Sequence, residues 1–573
     1  MNRDRYDLPL TTSSDRAAAH YRDGVDCMLS AWHGAEDAFD NAIAQDPGFA
    51  LAHIGRARLH QLNMEGSQAR AMAAQARELV AGATPREKSH VEIIAAVIES
   101  KPRLAVSGAE AHLEEYPRDA QVLSMLLGAF GLYAFSGRSD HDAAKLAICE
   151  RHARHYGEDW WFLSYLGWSH TEAGYLTTGR KLSERAMSQR AANANAAHAL
   201  SHAMFEQGDM ETGRSFLSQW MPAHDRQSFL HGHLAWHVAL TALDTGDLDG
   251  ALAIYEQYIK PAGRPYPPLN IFTDGTSLLW RLSLAGKTGL DEHWRDIAAY
   301  GEKYFPQAGA HFADVHFALA AAAGSEALDT RLAQLEARAA DGKLAPGRAA
   351  IELCRGIRSF AEGDNAGAVR FLEPAISELA RIGGSHAQRE LWEDTLIVAY
   401  LRAGHGDKAA GRISARLDRR PSAREKPGRA RREGRRFNAI EGDEPTLSRA
   451  GHAAAHRTST RPGHQTYFNC PACFEVWIAS QERSCVIDAI RIHANVSNKM
   501  RGYRRNRSML PYTNSIAYRA TAFERAALLQ AFQVRLPSAV ANTGDLIVHE
   551  QDVFGHTNLP ESGPGTARGK CIL

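Results

Sequence analysis

The sequence predicts an all-α fold: a tetratricopeptide-like helical-repeat solenoid with a poorly ordered C-terminal extension. Three observations carry this expectation. Gly167, Gly174 and Gly179 recur 34 residues later as Ser201, Gly208 and Gly213. That interval is the length of a tetratricopeptide unit, two antiparallel helices that bury their apolar faces only by stacking on copies of themselves. A small–aromatic–small spacing, closed by a proline or opened by a Gly-Asp turn, returns along the chain, and helix starts carry capping residues.

The first unit is read from Ala35, Phe39, Ala42 and Pro47. The small residues let neighbouring helices approach, and the proline, lacking an amide donor, stops the second helix. At residues 84–87, TPRE offers Thr84 as cap, Pro85 at the first helical position and Glu87 to close a capping box. Residues 161–190 and 195–220 form the clearest tandem pair, and Gly246, Ala251, Tyr255 and Tyr258 continue it. The run PAGRPYPP at 261–268 breaks the helix before SLLWRLSLAG resumes an apolar stripe. Further units follow at Gly363, Ala368, Leu372 and Ala375, and at Gly404 and Ala409. In Gly208-Asp209, Gly246-Asp247 and Gly363-Asp364 the glycine permits the bend and the aspartate is placed to cap the next helix. About ten to twelve helix pairs are expected.

A boundary falls near Asp418. From Arg419 to Arg436 there are nine basic residues against two acidic ones, and Pro, Gly, Ser, Thr and Arg dominate to about residue 466. The expected organisation is a repeat domain over 1–418, a basic linker over 419–466 and an extension over 467–573 of uncertain fold. Composition fits a globular chain, with 573 residues, 44% hydrophobic and 23% charged. Lys plus Arg equals Asp plus Glu at 66 each, so no global field favours nucleic acid or an anionic membrane. Seven cysteines, with Cys27, Cys149 and Cys354 isolated in helical stretches, make no disulfide framework. No signal-like apolar segment or membrane-length run is seen, and a cytoplasmic location is expected.

The segments ALSHAMFEQGD, HLAWHVALTALDTGDLDGALAIY, SLLWRLSLAG and FADVHFALA, and above all GGSHAQRELWEDTLIVAYL at 383–401, together resemble the tetratricopeptide repeat protein 38 family. The similarity covers roughly residues 6–418. It implies an all-helical repeat protein and brings no catalytic residues with it. The chain after Asp418 departs from the family pattern, and its Arg, His, Ala and Pro bias suggests a fusion or a shifted reading frame, with a native domain left open.

Histidines are the candidate site. His198 and His202 are four apart, as are His233 and His237, so each pair lies on one helical face, with Trp236 beside the second. With the turn glycine as repeat position 15, the pairs fall at positions 5 and 9 and at 2 and 6. These positions line the concave groove of tetratricopeptide domains, so both pairs are expected on one inner surface. Three readings stand: contact with a peptide or small ligand, a metal site built from imidazoles, and packing between helices. Neither pair carries the glutamate of HExxH. His316, His386 and Arg389 are further candidate groove residues, though Ser385 and Gln388 read first as a capping box. His316 and Asp314, two apart, point in different directions. In the tail, Cys470 and Cys473 form a single CxxC knuckle, with Cys485, His464 and His493 as possible companions.

Gly286-Lys287-Thr288 is not a phosphate loop, because Arg281 stands where the first glycine is required. No cofactor is expected. The leading reading is a binding module with a protein, peptide or small-ligand partner in a His-lined groove, with membrane and nucleic acid not expected. The alternative is a metal-binding protein or enzyme using His198, His202, His233 and His237 for ligation or acid–base work.

Overall fold

The computed structural model describes residues 1–421, apart from 262, 264–265 and 323–324. Cys470, Cys473 and the linker and extension beyond 421 lie outside the described residues. The chain starts with a feature the all-α expectation lacked. Two-residue strands β1 (Asn2–Arg3) and β2 (Pro9–Leu10) pair antiparallel, Asn2 opposite Leu10. Strands this short carry no periodicity from which to read them.

The described residues then form 22 α-helices in eleven successive pairs. They are α1 (Asp15–Ser30) with α2 (Ala35–Gln45), α3 (Ala50–Leu62) with α4 (Gly66–Leu79), and α5 (Pro85–Ile98) with α6 (Pro102–Glu115). Next come α7 (Ala120–Leu126) with α8 (His141–Tyr156), α9 (Trp160–Glu172) with α10 (Leu176–Gln189), and α11 (Ala194–Glu206) with α12 (Met210–Trp220). They continue as α13 (His231–Thr245) with α14 (Leu248–Ile254), α15 (Pro268–Leu284) with α16 (Asp291–Tyr304), and α17 (His311–Ala321) with α18 (Ser325–Ala340). The last are α19 (Arg348–Ala361) with α20 (Asn365–Ile376), and α21 (His386–Arg402) with α22 (Gly406–Arg419). The seventh and eighth helices are separated by an irregular stretch with a 3₁₀ turn at Ala134–Ser136, and α14 runs into a π-turn at Tyr255–Ile259. The last helix ends at Arg419, and Arg420 is buried against Glu390 at 2.9 Å.

Side-chain size sorts the two helices of each pair. Most second helices bury one narrow stripe, often of small residues, as Ala69, Ala73 and Ala76 do on α4 and Gly179, Ser183 and Ala186 on α10, while α8 departs from this by burying Lys145, Leu146, Ile148 and Tyr156. The first helices are buried nearly all round: α11 and α17 bury eleven residues each. A helix apolar on every face must lie inside, and one with a single apolar stripe lies on a surface. The first helices therefore form an inner layer and the second helices an outer one.

Turn chemistry follows the expected pattern. Gly208, Gly246 and Gly363 all take positive φ, at 72°, 85° and 82°. Asp247 and Asp364 accept from Gly250 N at 2.9 Å and Gly367 N at 2.8 Å, while Asp209 makes no such side-chain cap. The boxes Thr84/Glu87 and Ser385/Gln388 are both closed. Glu87 also accepts from the amide of Thr11 at 2.8 Å, which ties the strand pair to α5. Thr84→Ala is expected to lower stability by about 1 kcal/mol, the usual worth of such a cap. Glu87→Ala should cost more, because the Thr11 anchor goes too, and urea midpoints of the two variants measure the difference.

The coil closes on itself. The first and eleventh helices touch, with Asn195 donating to the Leu29 carbonyl at 2.7 Å and Arg190 paired with Asp26 at 3.0 Å. From the other side, α21 reaches α11, Arg389 pairs with Asp142 of α8 at 2.8 Å, and Arg381 donates to the Gly137 carbonyl at 3.0 Å. Among the described residues, no helix is long and apolar enough to cross a membrane.

Candidate functional site

Closure turns the expected open groove into a partly open chamber of about 240 Å³ on the inner face. Every lining residue comes from the first helix of a pair or from a loop adjoining one. The walls carry Trp161, Tyr165 and Trp168 of α9, with Gln121, Ser124, Asn195 and Asn270 as polar groups. His198 and His233 reach it from α11 and α13. Among the described residues, Arg58 of α3 is, histidines aside, the one charged residue of the lining. Its guanidinium donates to Gln61, and among the described residues it has no carboxylate partner. Burial lowers its pKa to about 10.

At one side of the chamber the four histidines converge, because α11 and α13 stack as neighbouring inner helices. His198 Nε2 lies 3.0 Å from both His202 Nε2 and His233 Nε2. Five of the six ring pairs lie 4.5–5.3 Å apart between centroids, and one nitrogen from each ring lies within 4.8 Å of the others. His202, His233 and His237 are buried and His198 half-buried. Two carboxylates hold the outer ring edges: His202 Nδ1 donates to Glu172 Oε1 of α9 at 3.0 Å, and His233 Nδ1 to Asp274 Oδ2 of α15 at 2.9 Å. The site is thus assembled from four consecutive inner helices.

Burial, reinforced by repulsion from neighbouring imidazoles, holds the pKa of His198 and His237 well below the usual histidine value, so both rings are neutral at pH 7. Burial alone would raise the Glu172 pKa, but His386 and the hydrogen bond from His202 pull it below the ordinary carboxylate range. Trp236 is fully buried, stacked at 13° on His233, with its indole donating to Ser277 Oγ at 2.9 Å.

The other sequence candidates fall elsewhere. His316 is buried beside Trp392, its Nδ1 donating to the Phe312 carbonyl at 2.8 Å, and the structure does not bring it to the cluster. Asp314 pairs instead with Arg331 at 2.7 Å, so the two form no dyad. His386, at the first turn of α21, has its amide occupied by the protein itself, donating to Glu172 Oε2 at 2.8 Å. Arg389 is likewise occupied, by Asp142, the Gly384 carbonyl and His141. Asp142, Glu172 and His386 also lie close enough to share an ion. Lys145 at 2.9 Å and Arg389 at 2.8 Å from Asp142 already supply the positive charge there.

Sequence reading missed Glu172, Asp274 and Arg58. Glu172 carried a signal, since it recurs 34 residues on as buried Glu206. Asp274 lies 41 residues from His233, outside the repeat interval, and Arg58 looks like any surface arginine until the coil closes.

No family model matches the chain. Among solved structures, yeast Tom70 is similar over 74% of this chain and 96% of its own, at 13% identity and a TM-score of 0.28. Naa15/Naa10 bound to HypK-THB is similar over 74% of this chain and 67% of that one, at 14% identity and a TM-score of 0.18. At these values the likeness assigns neither partner nor site. The repeat architecture implied by the resemblance to the tetratricopeptide repeat protein 38 family is present, while membership of that particular family finds no matching model.

Proposed function

We propose that the chain is a helical-repeat binding protein whose inner chamber takes a small organic anion, a carboxylate or phosphate ester. The observation that carries this reading is Arg58, a half-buried side chain lining the chamber with no carboxylate partner among the described residues. An arginine stays charged in proteins, and leaving that charge partly desolvated and without an opposite partner is unfavourable. A ligand anion relieves the penalty. Arginine also presents the planar fork that matches carboxylate and phosphate oxygens.

Size and walls narrow the ligand further. About 240 Å³ is below the roughly 300–1,000 Å³ of pockets that hold drug-sized molecules. This favours a small ligand over the peptide alternative. Trp161, Tyr165 and Trp168 offer apolar faces for its body, while Asn195, Asn270 and Gln121 can fix its polar groups.

The test is thermal unfolding of the full chain with inorganic phosphate, phosphate monoesters and short mono- and dicarboxylates. At least one should raise the midpoint, since a ligand at about 100 times its Kd adds about 2.7 kcal/mol. Arg58→Met should abolish that response and, by removing a half-buried charge that has no carboxylate partner, raise the midpoint of the ligand-free protein. Failure of every anion to stabilise the wild type, or an undiminished response in Arg58→Met, refutes the reading.

A further inference from the structure

We propose that His198, His202, His233 and His237 form a tetrahedral four-imidazole site for one transition-metal ion of the zinc class, adjoining the chamber. This goes beyond the anion reading and does not rest on it.

Carboxylates only accept, so the contacts to Glu172 and Asp274 place N–H groups on the Nδ1 atoms of His202 and His233. In the neutral ring that leaves Nε2 with its lone pair, and both Nε2 atoms face His198 Nε2 at 3.0 Å. His198 has at most one proton on that nitrogen to share between them. His237 adds a fourth nitrogen: its Nε2 is buried and has no hydrogen-bond partner among the described residues, in a residue only 3% exposed. Several lone pairs are therefore turned on one small volume. One cation at their centre satisfies all of them.

Metal-ligating histidines characteristically give their other ring N–H to a carboxylate, which fixes the tautomer and raises ligand basicity. Two of the four do so here, and the carboxylates come from the helices flanking the pair on either side. Asp274 is 2% exposed, and its Oδ1 has no partner among the described residues. Glu172 and Asp274 contribute two negative charges, which a divalent ion with four neutral imidazoles balances.

Metal–nitrogen bonds of about 2.0–2.1 Å arranged tetrahedrally separate the nitrogens by about 3.3–3.4 Å. The two shortest separations are 3.0 Å, and no pair in the set exceeds 4.8 Å. Small ring adjustments convert one arrangement into the other. An all-nitrogen donor set excludes magnesium and calcium, which take oxygen ligands, whereas imidazole suits zinc, copper and nickel. His198 and His233 line the chamber while His202 and His237 do not, so the ion enters from the chamber side.

The experiment uses the full chain without an affinity tag, stripped by a chelator and then titrated with Zn²⁺ and, separately, Co²⁺. The expected result is uptake of one ion per chain that survives gel filtration, with the intense visible d–d bands of tetrahedral cobalt. The double substitution His198→Ala and His237→Ala should abolish uptake. Asp274→Asn should keep the stoichiometry but weaken binding about 10- to 100-fold, the usual effect of losing an outer-shell partner. If the double variant fails to fold by circular dichroism, the wild-type cobalt spectrum and Asp274→Asn decide the matter. Folded wild-type protein that retains less than about a tenth of an equivalent overturns the proposal. So does a cobalt–thiolate absorption band, or wild-type uptake by a folded double variant. Arg58→Met should bind metal normally, so loss of anion binding and loss of metal binding remain separable.

Discussion

Asp119→Ala is expected to destabilise the N-terminal half of the coil by about 3–5 kcal/mol, the range for removing one partner of a buried ion pair. Asp119 is 3% exposed and gathers three helices onto one carboxylate. Arg86 of α5 pairs with it at 2.8 Å, His90 of the same helix lies 3.0 Å away, and His112 of α6 lies 3.2 Å away. It also sits at the N-cap of α7, accepting weakly from the Val122 amide at 3.5 Å. Alanine would leave a buried guanidinium and two imidazoles without their acceptor.

The same residue sets a pH dependence. Burial alone would raise the Asp119 pKa, but the charges and hydrogen bonds of His90, His112 and Arg86 overcome it and hold the group well below the usual range. A carboxyl group with a depressed folded pKa contributes its stability fully above the unfolded value of about 3.9, and loses it as pH falls towards the folded value. Unfolding free energies of wild type and Asp119→Ala should therefore lie furthest apart near neutrality and converge in acid. Urea titrations across that range, with hydrogen exchange on α5 to α7, measure both the size and the location of the effect. Equal loss at every pH would show that the charge is not what matters.

Gly179→Ala is expected to destabilise the protein, against the ordinary rule that replacing a helix-interior glycine by alanine gains about 0.5–1 kcal/mol. A Cβ at Gly179 would run into the Thr171 hydroxyl and come within 2.7 Å of the Gly167 carbonyl oxygen. Backbone cannot step aside as a flexible side chain does. The ninth and tenth helices would have to separate, and overpacking of this kind costs about 1–3 kcal/mol. Valine should cost more than alanine. Because Glu172 follows Thr171 directly, the wedge also displaces the carboxylate that holds His202. Gly179→Ala should consequently lower metal retention as well as thermal midpoint, whereas Thr84→Ala should affect stability alone.

Much of this was legible in the sequence, for reasons that separate local from long-range information. Turn glycines, N-caps and both capping boxes depend on residues within four positions of one another. The 34-residue interval works as a ruler because adjacent pairs stack in register, and it therefore placed His198, His202, His233 and His237 on one inner surface. Asp274 escaped because the pairs before α15 have drifted from that interval and a π-turn and a proline-rich break intervene. Arg58 and the chamber escaped because they exist only once the coil has curled through enough pairs to bring α1 against α11. Curvature accumulates from small rotations at every interface, and no single stretch of residues encodes it.

That meeting of α1 with α11 and of α21 with α11 constrains how such a chain can change. An open solenoid tolerates the gain or loss of a unit, since each repeat answers only to its neighbours. Here an added pair between α1 and α11 would carry Asn195 past Leu29 and Arg190 past Asp26, and the ring would no longer meet. The number of pairs is thereby locked in the way a stave count is locked in a barrel. Substitutions accumulate within units, while whole units become indivisible from the chamber they enclose.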